Sequence, residues 1–92
     1  MQRFDDEPIR SEEELVRAVE RHLAHMGAYA SWTVGVAADP DARYAGLGQP
    51  ASWAHWRAAS EAIARGAAQR LVAKGMHQDH SEQPKPLYVY IF

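Results

Sequence analysis

Arg43 is the side chain in this sequence best suited to hold an oxyanion, because a planar guanidinium grips phosphate or carboxylate at two points. Tyr44 follows it and would line the same surface. The plainer account is an exposed arginine on a short helix with a half-buried tyrosine beside it. His55 lies between Trp53 and Trp56. As a general base it would need a nucleophile or an orienting carboxylate within hydrogen-bond reach. The sequence identifies neither, so a structural histidine is the stronger reading. His77, Asp79 and His80 combine residue types that suit zinc or nickel. Such tight spacing in a loop preorganises a metal poorly, and a solvated polar loop outweighs a metal site. His22 and His25 fall near the end of a helix and serve its dipole. No Ser-His-Asp set, phosphate-cradling glycine loop or paired-carboxylate arrangement is recognisable.

Composition narrows the classes further. A chain of 92 residues fits one domain, 1–92, and 47 % apolar residues suffice for one core. The net charge of −2 supplies no basic excess, which argues against strong non-specific binding to a phosphate backbone. A weak nucleic-acid surface would have to use Arg43, Arg57, Arg65, Arg70 and Lys74. The absence of cysteine excludes disulfides and thiolate metal sites. Residues 1–10 are acidic and read as disordered, with no signal peptide or membrane span, so the expectation is a soluble, cytoplasmic protein.

The elements that must position these residues are legible in part. Ser11 and Glu14 form a capping box ahead of Leu15, Val19, Leu23 and Met26, which predicts a helix over 12–26 stopped by Gly27. Trp32, Val34 and Val36 alternate with polar or small residues, which predicts a strand over 30–37. Asp39-Pro40 starts a short helix over about 40–46. Residues 53–58 read as a strand, although the alanines also permit a helix. Ser60 caps a helix reaching Lys74, with Ile63, Ala67, Leu71 and Val72 inward and Gly75 at its end. Gly66 within it costs about 1 kcal/mol relative to Ala, so close backbone packing, against the sheet, is expected there. Residues 76–86 read as a polar loop. Leu87, Val89 and Ile91 alternate with Tyr88, Tyr90 and Phe92, which predicts a final strand paired inside the sheet and covered on both faces. Of the three tryptophans, two are expected buried and one partly exposed; an exposed one would mark a binding surface.

The run Thr33-Val34-Gly35-Val36-Ala37-Ala38-Asp39-Pro40-Asp41-Ala42-Arg43 resembles the GIY-YIG nuclease superfamily. Val34-Gly35 matches the family's Tyr-Ile/Val-Gly strand, and Arg43 falls where its catalytic arginine stands. Trp53 to Ala58 looks like the third strand, and Ala59-Ser60-Glu61 with Ala64 like the start of the next helix. The resemblance covers roughly residues 31–74. It implies a nuclease scaffold with a single divalent metal. This sequence departs from the pattern at Thr33, which replaces the second motif tyrosine, and at Ala68, which falls where the metal-binding glutamate is expected. A helix occupies the place of the first motif strand. In a permuted arrangement the C-terminal Tyr88-Val89-Tyr90-Ile91 would fill that strand's position, with Tyr88 or Tyr90 standing for the first tyrosine.

Together these readings predict an α+β fold with a small, mainly antiparallel three-stranded sheet and two main helices, placed to cover both of its faces. They predict a non-catalytic binding module whose surface includes Thr33, Gly35, Arg43, Tyr44, His55, Tyr88 and Tyr90. No cofactor or metal is expected, and the partner is another protein or a second copy. The alternatives are a divergent metal-dependent nuclease drawing a carboxylate from Glu61 or Asp39, and a weak nucleic-acid binder.

Overall fold

Local signals start each helix. The Ser11 hydroxyl accepts from the Glu14 amide at 3.0 Å and opens α1, Glu12–Leu23. Asp39 accepts from the amides of Asp41 and Ala42, both at 3.1 Å, and opens α2, Pro40–Gly46. Ser60 accepts from the Ile63 amide at 3.2 Å and opens α3, Glu61–Ala73. Each contact satisfies donors that a helix start leaves without intrahelical partners. This computed structural model describes residues 8–24, 29–79 and 85–92. His25, Met26 and Gly27 therefore lie outside the described residues, and with them the expected end of the helix at 26; α1 is described over Glu12–Leu23.

Among the described residues there are four strands: β1, Thr33–Ala37; β2, Ala54–Arg57; β3, His77–Gln78; and β4, Tyr88–Ile91. They form one sheet in the order β2-β4-β1-β3. The C-terminal strand β4 is central, antiparallel to β1 (Gly35 opposite Tyr90) and to β2 (His55 opposite Tyr90). β3 adds to the other edge of β1 in parallel, with Thr33 opposite His77. The sheet is thus four-stranded and mixed, not three-stranded and antiparallel. Residues 76–86 are not simply a polar loop, because His77–Gln78 pairs and Met76 is buried. A two-residue strand carries no alternating pattern, and only its neighbour β1 defines it. A 3-10 turn at Tyr29–Ser31 takes the first positions expected of β1.

The N-terminal stretch is anchored further upstream than its composition suggests. The Ile9 amide donates to the Arg57 carbonyl, and the Ile9 carbonyl accepts from the Ala59 amide, both at 2.8 Å. Residues 1–7 lie outside the described residues.

The core lies on one side of the sheet. Val34, Val89 and Ile91 face Leu15, Val16, Val19 and Leu23 of α1 and Ala64, Ala67 and Leu71 of α3. α1 and α3 pack together on this face, so the two main helices do not divide between the faces. Gly66 fits against α1, not the sheet: a Cβ there would overlap the Glu12 carboxylate. Trp32 is buried, while Trp53 and Trp56 are each half-buried, which reverses the expected ratio. His22 sets its ring edgewise to Trp32 and Trp56, with centroids 6.4 and 5.6 Å away, so it packs on indoles as well as ending a helix. On the other face of the sheet, among the described residues, α2 and aromatic side chains from in and beside the strands provide the cover.

Candidate functional site

Strand alternation sets the site's position. Side chains along β4 point to opposite faces in turn. With Val89 and Ile91 committed to the helix-covered core, Tyr90 turns to the other face. It lies across Gly35 of β1, its partner in the register. A Cβ at Gly35 would stand 2.5 Å from the phenol oxygen and 2.6 Å from Cζ. Glycine is therefore required here for space: any side chain would push the ring off the strand.

Lying flat, Tyr90 carries its hydroxyl to Arg43 and Asp79. Arg43 comes from the middle of α2, which Asp39 and Pro40 start directly after β1. Asp79 comes from the end of β3, where its amide donates to the Val34 carbonyl at 2.8 Å. The Arg43 Nη2 donates to Asp79 Oδ1 and Oδ2 at 3.0 and 2.8 Å, and Nε donates to the Tyr90 hydroxyl at 3.1 Å. The Tyr90 hydroxyl in turn donates to Asp79 Oδ2. The Arg43 and Asp79 side chains are 25 % and 15 % exposed, so solvent screens their pairing far less than at an open surface.

The electrostatics follow from this contact. The Asp79 carboxylate, and then the Tyr90 hydroxyl, push the Arg43 pKa above its ordinary value. Burial, followed by the bond to Asp79, pushes the Tyr90 phenol up to about 12, against the pull of Arg43. Tyr90 is thereby held neutral throughout the physiological range. A phenol with so high a pKa is a poor proton acceptor at neutral pH.

An aromatic layer covers the cluster. The Trp53 indole stacks on Tyr90 with centroids 4.8 Å apart and planes 17° off parallel, and more loosely on Phe92 at 6.2 Å. Tyr44 of α2 tilts against the same indole at 5.2 Å. The Trp53 Nε1 donates to His55 Nδ1 at 3.1 Å, which assigns the remaining ring proton of neutral His55 to Nε2. The His55 ring meets Tyr88 edgewise at 5.8 Å. Trp53, Tyr44, Tyr88 and Phe92 are all half-buried and His55 is exposed.

No protein-family model, curated protein or solved structure matches this chain.

The structure brings Gly35, Arg43 and Tyr90 into direct contact, with Tyr44 one ring away and His55 and Tyr88 along the adjoining strip. Thr33 stands apart: its backbone exchanges hydrogen bonds with Phe92, at 2.8 and 3.0 Å, at the far end of β1. Asp79 belongs to an ion pair with Arg43. His77 is exposed on β3, and His80 lies outside the described residues. Among the described residues, no group of three or more His, Cys, Asp or Glu gathers to hold an ion. Asp39 caps α2, and Glu61 pairs with Arg65 at 2.8 Å. Ala68 packs against the helix-covered core, on the opposite side of the sheet from Arg43. Arg70 and Lys74 pair with Glu12 and Glu20 of α1, both at 3.1 Å. Arg57 is exposed on β2. Among the described residues no helix is long and apolar enough to cross a membrane.

Sequence reasoning missed two members of the site, Trp53 as the cover of Tyr90 and Asp79 as the partner of Arg43. The aromatic alternation at 88, 90 and 92 pointed to a ring-lined face, but Arg43 and Asp79 lie 36 residues apart in sequence and pairing them requires the β1–β3 contact.

Proposed function

We propose that this protein is a non-catalytic interaction module on a degenerate GIY-YIG-like scaffold, with another protein or a second copy as its partner. One observation carries the reading: the Arg43 fork is already filled by the Asp79 carboxylate and bonded to the Tyr90 hydroxyl. An arginine so engaged must break an intramolecular charge-assisted pair before it can grip a phosphate. The half-exposed aromatic layer of Trp53, Tyr44, Tyr88 and Phe92 has the residue types that dominate protein interfaces. The scaffold resemblance draws support from the central position of β4 beside β1 and from the tyrosine it lends to Arg43.

The test is incubation with plasmid and branched DNA in Mg²⁺ or Mn²⁺. The expected result is no cleavage. Dose-dependent cleavage that disappears in Arg43→Ala overturns the reading.

A second reading has one observation in its favour. Asp79 is a carboxylate beside Arg43 and Tyr90, and a divergent nuclease could use it as an oxygen ligand in place of Glu61 or Asp39. A lone carboxylate gives a hard cation few of its ligands, and here both oxygens already accept hydrogen bonds. Titration with Mn²⁺ watched by paramagnetic broadening separates the two. Selective loss of the Asp79 and Val34 amide signals supports the nuclease; uniform weak broadening supports the interaction module.

A further inference from the structure

We infer that a second site, independent of the Arg43 cluster, takes a small organic anion carrying two or more phosphate groups. It is a groove of about 640 Å³ on the helix-covered side of the molecule, between the segment Pro8–Arg10 and α1. Among the described residues, Arg10, Arg17 and Arg21 line it, with Glu14 as the one carboxylate and Ile9 and Ala18 as its apolar floor.

The arginines are brought together by structure already in place. Two backbone hydrogen bonds of 2.8 Å fasten Ile9 to the edge of β2 and so set the position of Arg10. Arg17 and Arg21 are four residues apart on α1, which places them one turn from each other along the same helix face. Among the described residues that line it, charge is unbalanced. Arg17 shares its charge with Glu13 at 2.5 Å, and the Glu14 carboxylate turns back to the Ser11 hydroxyl at 3.4 Å. Arg10 and Arg21 make no ion pair among the described residues. This contrasts with α3, whose Arg65, Arg70 and the adjoining Lys74 are each matched with a glutamate. Two guanidinium groups without an ion pair among the described residues therefore meet at one concavity.

The ligand class follows from the shape and the donors. Guanidinium groups bind phosphate through paired, charge-assisted hydrogen bonds. The volume lies within the range of small-molecule sites, ~300–1,000 Å³, and exceeds what a single phosphate fills. Two phosphates would engage Arg10 and Arg21 from the two walls, with the carbon portion resting on Ile9 and Ala18.

The experiment is a titration of the full chain with inorganic pyrophosphate and with fructose 1,6-bisphosphate at low salt, read by amide and arginine Nε–H shifts. Shifts confined to residues 9–21, larger for the bisphosphate, are expected. Arg10→Ser and Arg21→Ser should each weaken binding about tenfold, the effect of losing one hydrogen bond between charged groups. Arg21→Lys should recover only part of that loss, because the ammonium lacks the fork. Arg65→Ser on α3 should leave binding unchanged. All three serine variants alter exposed side chains, and an unchanged thermal melt will show that each remains folded. No shift at millimolar ligand, shifts spread over every surface arginine, or equal weakening by Arg65→Ser overturns the proposal. None of these outcomes involves Arg43 or DNA cleavage, so the two readings fail separately.

Discussion

The two faces of the sheet are built on different physics. The face under α1 and α3 is aliphatic: Val34, Val89 and Ile91 meet Leu15, Val19 and Leu71, each fully buried. Burial of this kind is non-directional and scales with apolar area. The face under α2 is aromatic and polar: Tyr90, Trp53 and Phe92 stack, and Arg43, Asp79 and Tyr90 exchange hydrogen bonds at specific atoms. Tyr90 is as inaccessible as Val89, although it is reached by one short helix and an indole instead of two full helices. A polar group so deeply buried is tolerated because its hydroxyl is satisfied by two partners. The difference separates two tasks: the first face holds the fold together, and the second holds a particular arrangement of side chains in place.

The contrast can be broken most forcefully on the aliphatic side. Leu71→Ala should cost about 2–5 kcal/mol in denaturant unfolding, the range for a fully buried leucine. It should leave the Trp53–Tyr90 stack intact in the remaining folded fraction, as read by ring-current shifts. A loss of that stack without unfolding would show that the two faces are not separable.

The aromatic side should show itself through pH. The Tyr90 phenol titrates at about 12 in the fold and at about 10 when unfolded. Because the folded value is the higher, its contribution is complete below pH about 10 and is lost as pH rises towards about 12. The two-unit gap corresponds to roughly 2–3 kcal/mol. Tyr90→Phe should remove most of the alkaline decline in stability. A smaller decline should remain from Tyr29, whose phenol is pushed up by its bond to Glu20. An unchanged alkaline profile in Tyr90→Phe would place Tyr90 in contact with water.

Asp79→Ala should cost about 1–3 kcal/mol at neutral pH, because it leaves a mostly buried guanidinium short of its partner. Amide exchange should rise first at the β1–β3 pairing, which is only two residues long. The smallest effect is expected at Arg65→Ser. The Glu61–Arg65 pair is half-exposed, and surface pairs contribute at most about 1 kcal/mol. A larger loss there would mean that α3 draws stability from its charged surface as well as from Ala64, Ala67 and Leu71.

What the sequence determined by itself was local. The caps at Ser11, Asp39 and Ser60 act over two or three residues, so the helix starts could be read directly. The alternation in Tyr88–Ile91 announced a strand with two buried faces, and its central place in the sheet agrees. The role of Gly66 was half legible: close packing was foreseeable from its cost within a helix, but the partner, Glu12, was not. Tertiary structure alone decided the rest. His77–Gln78 is too short to show a period and becomes a strand only beside β1. Asp79 reads as one more polar residue until that pairing delivers it to Arg43. Gly35 matches a motif in sequence, yet its physical necessity is the Tyr90 ring, contributed from the other end of the chain. Hydrogen bonds and stacking depend on distance in space, and separations of 36 and 47 residues leave no imprint on neighbouring positions from which to read them.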